Sequence, residues 1–209
     1  MSKNITSEFW NERYRQKEFV YGKTPNQYLK EKLDELPVGK ILLPADGEGR
    51  NGVYAATLGW DTFSFDPSTE SQQKAKELAY HNQVEIDYQV TNVEQAQYPA
   101  NYFDVLSLIY AHFSQDRRAL HQKLATFLKK DSFLILEAFN KQQIKNQEEH
   151  PHAGGPKDPL MLYDLQSVKE DFEGFEFLEA ENQTIHLNEG KYHNGPGDVI
   201  RIFAQKKIN

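Results

Sequence analysis

Three glycines, Gly47, Gly49 and Gly52, stand in LLPADGEGRNGVYAA (residues 42–56) with the spacing G-x-G-x-x-G. Glycines let a backbone approach a ligand closely, and a helix N-terminus behind them offers free N–H groups. Nineteen residues beyond Gly47 comes Asp66, an acid placed to accept hydrogen bonds from both hydroxyls of a ribose. Asn92 brings an amide that can read an adenine edge, and Tyr110 and His112 follow in YAHF. His112 has the side chain whose ordinary pKa lies nearest neutrality, which suits a general base.

These residues need strand ends to hold them, and the pattern supplies strands. KILLP (40–44) is a short unbroken apolar run, as in a strand buried on both faces. Further strands read over 60–66, 86–90, 103–111 and 131–139, with helices over 53–59, from Ser68 to Asn82 and over 117–130. Strand, Gly loop, helix, strand and acid therefore occur in the order a nucleoside site requires. Upstream, 6–36 reads as two amphipathic helices, the first capped by Thr6 or Ser7, separated by the Gly/Pro-punctuated loop FVYGKTPN. Downstream, 140–160 reads as an exposed polar loop and 162–172 as a helix. Residues 175–187 and 198–207 read as an antiparallel hairpin joined by the long loop NEGKYHNGPG. Alternating strands and helices imply a mainly parallel sheet with helices on both faces. A single domain over 1–209 is expected, with a helical lid (1–39) and a core (40–209).

Composition narrows the partners. Lys and Arg number 24 against 31 Asp and Glu, a net charge of −7, which argues against a nucleic-acid partner because that affinity rests on neutralising phosphates. The chain has no cysteine, which removes disulfides, a thiol nucleophile and Cys-ligated zinc. MSKNITSEFW lacks an apolar h-region and no run reaches the length of a membrane span, so a cytoplasmic protein without membrane attachment is expected. His150 and His152 flank a proline without nearby ligands, so no metal is expected; His81 and His121 read as helix surface and His186 as strand surface. His193 and Arg201, on the hairpin, could face a small-molecule acceptor, and Arg201 suits an anionic one.

Two ligands fit the glycine loop, a nicotinamide or flavin dinucleotide and S-adenosylmethionine. The helical segment before strand one, the closing hairpin and the bulky Arg50-Asn51 behind Gly49 favour the second, which has no pyrophosphate to cradle. On FWNERY (9–14), YGKTPNQYL (21–29), GEGRNGVYAA (47–56), FDPS (65–68), NYFDVLSLIYAHF (101–113), LILEAF (134–139), GGP (154–156) and EGKYHNGPGDVIRIFAQ (189–205), the chain resembles the class I S-adenosylmethionine-dependent methyltransferases. It most resembles their tellurite-resistance and thiopurine methyltransferase-like group. The resemblance implies a Rossmann-like α/β fold, a seven-stranded, mainly parallel sheet ending in an antiparallel hairpin.

It also implies a methyltransferase whose cofactor is S-adenosylmethionine, acting on a small molecule at sulfur, selenium, tellurium, nitrogen or oxygen. Gly47 and Gly49 would lie against the methionine part of the cofactor, and Asp66, with Pro67 behind it, would hold the ribose. Asn92 and the Val93 N–H would meet the adenine, while Tyr110 and His112 would face the sulfonium. Trp10, Arg13 and Tyr21 would come from the lid, and Arg50 and Asn51 from the loop. The sequence departs from the family where an acid and a first glycine are usual, with Leu43 and Ala45 in their places and Pro44 between them. Asp46 can partly replace the acid near the cofactor's ammonium. That run motivates a second reading, a methyltransferase fold serving as a nucleoside-binding or interaction module without turnover. The literal glycine pattern motivates a third, a dinucleotide oxidoreductase.

Overall fold

The computed structural model describes residues 7–113 and 116–208; Thr6, one of the two expected caps, lies outside them. Helices α1 (Ser7–Tyr14) and α2 (Gln27–Asp34) precede β1 (Lys40–Pro44). Then come α3 (Arg50–Thr57), β2 (Asp61–Asp66), α4 (Thr69–His81), β3 (Asp87–Val90), β4 (Phe103–Ile109), α5 (Arg117–Thr126) and β5 (Leu128–Phe139). The chain closes with α6 (Gln143–Glu149), a 3₁₀ turn (Pro159–Met161), α7 (Leu165–Asp171), β6 (Phe175–Asn188) and β7 (Asn194–Lys206).

The strands form one sheet in the order β3-β2-β1-β4-β5-β7-β6. All run parallel except β7, which is antiparallel to both β5 and β6. This is the Rossmann-like methyltransferase fold with its C-terminal hairpin. The order reverses between β1 and β4, which opens a crevice beyond their carboxyl ends. Strand periodicity explains the two-sided core. Leu42, Leu106 and Leu134 enter one apolar cluster with Phe103, Leu124 and Phe172. Their neighbours Ile41, Leu43, Val105 and Ile135 enter another, covered by Tyr28, Leu29 and Leu33 of α2.

Four expectations shift. Helix α3 starts at Arg50, three residues early, because Gly49 turns left-handed (φ 81°) and serves as its N-cap. Strand β5 starts at Leu128, whose backbone pairs with Phe103 before the register shifts. The 140–160 segment is no simple exposed loop: it holds α6, and Gln143 is buried with its amide on the carbonyls of Ala153 and Gly154. The hairpin strands run on to Asn188 and Asn194, leaving only 189–193 as the turn.

Candidate active site

The crevice beyond β1, β2 and β4 opens into a cavity of about 1380 Å³. Trp10, Arg13, Tyr21, Asp46, Gly47, Arg50, Asn51, Asp66, Pro67, Asn92, Val93, Tyr110, His112 and His193 all line it; Gly49 and Arg201 do not. Residues 42 to 56 fold as a strand end turned sharply into a helix. Pro44 is tolerated in this central strand because β1 pairs with β4 only at Ile41 and Leu42, so its missing N–H breaks no bond on that side. Ala45 takes φ 55°, a left-handed conformation that an alanine adopts only at a cost.

The second and third glycines serve packing. A Cβ at Gly49 would lie 2.6 Å from the Ala75 Cβ of α4, and one at Gly52 would lie 2.5 Å from both Asp46 Oδ2 and Ser64 Oγ. Gly49 therefore lets α3 and α4 touch, in place of the cofactor contact expected of it, and Gly52 lets α3 sit directly on β1 and β2. Asp46 uses Oδ2 to accept the Gly52 N–H at 3.2 Å and the Ser64 hydroxyl at 2.9 Å. Its Oδ1 is buried without a hydrogen-bond partner among the described residues. Burial pushes the Asp46 carboxyl up to about 7 despite those two bonds.

Asp66 closes β2. Its Oδ1 accepts the Ser68 N–H at 3.0 Å and the Ser71 hydroxyl at 3.3 Å, and burial lifts its pKa to about 6. Asn92 caps the turn after β3, its Oδ1 accepting the Gln95 N–H at 2.9 Å, while the Val93 side chain is buried in the core. At the end of β4, Tyr110 is left-handed (φ 52°) and donates its hydroxyl to Glu137 Oε1 at 2.7 Å.

The polar side chains of GEGRN hold the lid to the core. Glu48 Oε2 accepts the Val20 N–H at 2.7 Å, and its Oε1 pairs with Lys74 at 2.7 Å. Arg50 donates to the carbonyls of Tyr21 and Thr24 and to Glu189 Oε2 at 3.0 Å. Asn51 Oδ1 accepts the Asn26 N–H at 2.9 Å, and Asn26 in turn donates to Glu137 at 2.6 Å. YG-x-x-PN and GEGRN thus belong together because they are hydrogen-bonded partners. Arg50 and Asn51 line the cavity, with Arg50 Nη1 and Nη2 and Asn51 Oδ1 engaged in this clamp.

Arg201 is likewise occupied. Its Nε lies 2.6 Å from Glu137 Oε2, and its guanidinium sits 4.9 Å from the Tyr28 ring centroid. The role expected of it at the acceptor gives way to neutralising a fully buried carboxylate. Arg13 remains at the cavity: it donates to Tyr21 Oη at 2.8 Å and lies over the rings of Phe9, Trp10 and Tyr192.

The histidines sort by what their nitrogens meet. His112 Nδ1 donates to the Met161 carbonyl at 2.7 Å and Nε2 accepts the Phe139 N–H at 3.2 Å. Burial lowers its pKa to about 4. A neutral ring with both nitrogens bound to main chain has no lone pair free for an incoming proton, which argues against the base role expected of it. His121 is no surface residue: it is fully buried, 2.9 Å from Asp171 and stacked on Phe172. The apolar face of α5 carried no sign of this, because its partner Asp171 lies fifty residues away. His193 Nδ1 lies 3.2 Å from Glu189 Oε2. Burial alone would raise the Glu189 carboxyl, but His193 and Arg50 hold it down at about 2. Glu189, Tyr14 and the 151–161 segment also shape this site; only the quoted motifs FWNERY, GGP and EGKYH pointed to them.

A family model described as a methyltransferase domain matches residues 44–136, the glycine loop through β5. No curated protein matches the chain in sequence. Many solved structures share its fold, three of which follow. The first, described with the conversion of a disulfide bond into a thioacetal group during echinomycin biosynthesis, is 16% identical, covers 97% of this chain and 93% of that one, and has a TM-score of 0.78. TehB from Haemophilus influenzae is 15% identical over 96% of this chain and 67% of its own, with a TM-score of 0.71. An S-adenosylmethionine-dependent methyltransferase from Methanosarcina mazei is 16% identical over 86% of this chain and 98% of its own, with a TM-score of 0.69. At these identities the likeness is one of fold.

The residues present fit S-adenosylmethionine. Asp46 Oδ1, buried at the cavity wall and without a partner among the described residues, suits the cofactor's ammonium. Asp66 stands at the strand end where a ribose is held. When bound, the cofactor supplies an electrophilic methyl group on a sulfonium. Residues 44–136 match a methyltransferase domain, and S-adenosylmethionine is the cofactor that this match and the site's residues together support.

Proposed function

We propose that the chain methylates a small molecule and stands with the tellurite-resistance and thiopurine methyltransferase-like group. The observation that carries this reading is the cavity itself. At about 1380 Å³ it exceeds what one nucleoside cofactor fills, and Trp10, Arg13 and Tyr21 of the lid and Tyr192 of the hairpin turn line it. An acceptor there is surrounded by aromatic faces, which also favour a neighbouring cation. The roles follow from position. Asp46 would take the ammonium, Asp66 the ribose and Asn92 the adenine edge, while Tyr110 and His112 would shape the wall beside the reacting atoms. Methyl transfer is an in-line displacement, and the chain's main contribution is to align and desolvate the two reactants. The YG-x-x-PN and GEGRN clamp and the EGKYHNGPG turn support the group assignment, and TehB stands among the structural neighbours.

Calorimetric titration with S-adenosylmethionine, S-adenosylhomocysteine and NAD tests the site. The first two should bind and NAD should not. Asp66→Ala should weaken S-adenosylhomocysteine at least tenfold; unchanged affinity would sink the ribose assignment. Turnover on a panel of thiols, phenols, amines and selenite then tests the small-molecule reading, and binding with no turnover on any of them would point to the non-catalytic module.

A further inference from the structure

We propose that His193 is the general base of the transfer, held by Glu189, and that the acceptor therefore carries a weakly acidic proton on its nucleophilic atom, as a thiol or phenol does. The inference rests on the small-molecule reading and deepens it. Two histidines line the cavity. His112 is bound to main chain at both nitrogens, whereas among the described residues no group bonds to His193 Nε2. A carboxylate only accepts, so the contact to Glu189 requires Nδ1–H and leaves the lone pair on Nε2.

The ring is fixed on every side. Tyr21 and Tyr110 pack on it with centroids 4.6 Å away, and Phe139 lies at 5.3 Å. A Cβ at Gly154 would fall 2.6 Å from its Cδ2, so only glycine admits the imidazole there. Glu189 is itself held by Arg50 at 3.0 Å and Asn26 at 3.4 Å. The charged and titratable groups facing His193 are Glu189 of the hairpin turn, Arg50 of α3, Arg13 of α1, His112 after β4, and the phenols of Tyr21 and Tyr110. Burial keeps the ring neutral while Glu189 pulls the other way, so the imidazolium formed on proton uptake meets a carboxylate already in place.

The step balances. The acceptor's X–H bond breaks, its proton passes to Nε2, its electron pair forms the bond to the methyl carbon, and the carbon–sulfur pair stays on the sulfur, which becomes a neutral thioether. His193 then returns the proton to water. His193 is the catalytic residue; Glu189 is a positioning residue that acts through it.

The first test needs no acceptor. Diethyl pyrocarbonate at pH 7 should label His193 in the folded chain and spare His112 and His121; a His193 that stays unlabelled until the protein unfolds overturns the proposal. In the second, His193→Asn keeps a donor for Glu189 but has no base. Its kcat on a phenol at pH 7 should fall about 100-fold or more, with S-adenosylhomocysteine affinity within twofold of wild type. On a thiol the loss should shrink as pH rises and the acceptor ionises unaided. Glu189→Gln should move the acid limb of the kcat/KM profile to lower pH by roughly one unit, which a purely structural role would not do. An unchanged kcat in His193→Asn, or lost cofactor binding, overturns the assignment. Wild-type protein that binds S-adenosylhomocysteine but methylates nothing on the panel fails the small-molecule reading, and the base falls with it; wild-type turnover that survives His193→Asn fails the base alone.

Discussion

At the scale of single residues, Asp46 carries most of the tension. It stands where the sequence expected a partial replacement for the family's acid, buried, with one oxygen satisfied and the other without a partner among the described residues. Its carboxyl titrates near 7 in the fold and near 3.8 when unconstrained. The folded chain therefore binds more protons than the unfolded one between those values. This group's contribution to stability falls as pH rises from about 4 to about 7 and is level above. In urea unfolding, the stability of Asp46→Asn relative to wild type should climb by on the order of 4 kcal/mol across that window; a flat difference would mean the carboxyl is not raised. If Oδ1 receives the cofactor's ammonium, the same variant should also lose S-adenosylmethionine affinity, and the wild-type affinity should rise between pH 5.5 and 7.

At the scale of elements, the lid is fastened by the loop it covers. Glu48 ties Val20 and Lys74, Arg50 ties Tyr21, Thr24 and Glu189, and Asn51 ties Asn26. Glu48 and Lys74 are both largely buried, so removing one leaves the other unpaired. Glu48→Ala should cost about 3 kcal/mol, and it should open the 19–26 segment in particular. Amide exchange at Val20, whose N–H would lose its acceptor, should accelerate more than exchange at Leu106 in mid-sheet. Equal acceleration at both would mean that Glu48 supports the whole fold and not the lid. Helix α2 depends on the same network, since Asn26 caps it by accepting the Leu29 N–H while donating to Glu137.

At the scale of the whole molecule, one cavity joins the lid, the ends of β1, β2 and β4, the 151–161 segment and the hairpin turn. A ligand filling it bridges segments from both ends of the chain and should stabilise them together. At a concentration about 100 times its dissociation constant, S-adenosylhomocysteine should add about 2.7 kcal/mol, a rise in Tm of roughly 5–10 °C for a chain of this size. NAD at equal concentration should give none. A null shift with S-adenosylhomocysteine, alongside intact folding, would contradict the cofactor site.

The succession of strands along the chain, the glycine turn and Asp66 were legible in the sequence because each follows from local rules. Apolar runs mark buried strands, a glycine marks a left-handed turn, and an acid at a strand end follows the turn at a set distance. Fourteen of the expected site residues do line one cavity, since a parallel sheet brings its strand-to-helix loops to one edge, where the lid and the hairpin turn meet them. Local rules could not say which way a polar side chain would be spent. Arg201 and Glu137 stand sixty-four positions apart and meet only across paired β5 and β7. Arg50 reaches Glu189 from 139 positions away, and His121 finds Asp171 only when α5 packs on α7. His112 and His193 look alike as letters. The tertiary structure separates them, because main chain saturates one ring while a carboxylate holds the other by a single nitrogen. Local pattern therefore determined the framework and where its ligand edge lies. The chemistry of each side chain was decided by partners that only the closed sheet and lid bring within hydrogen-bonding distance.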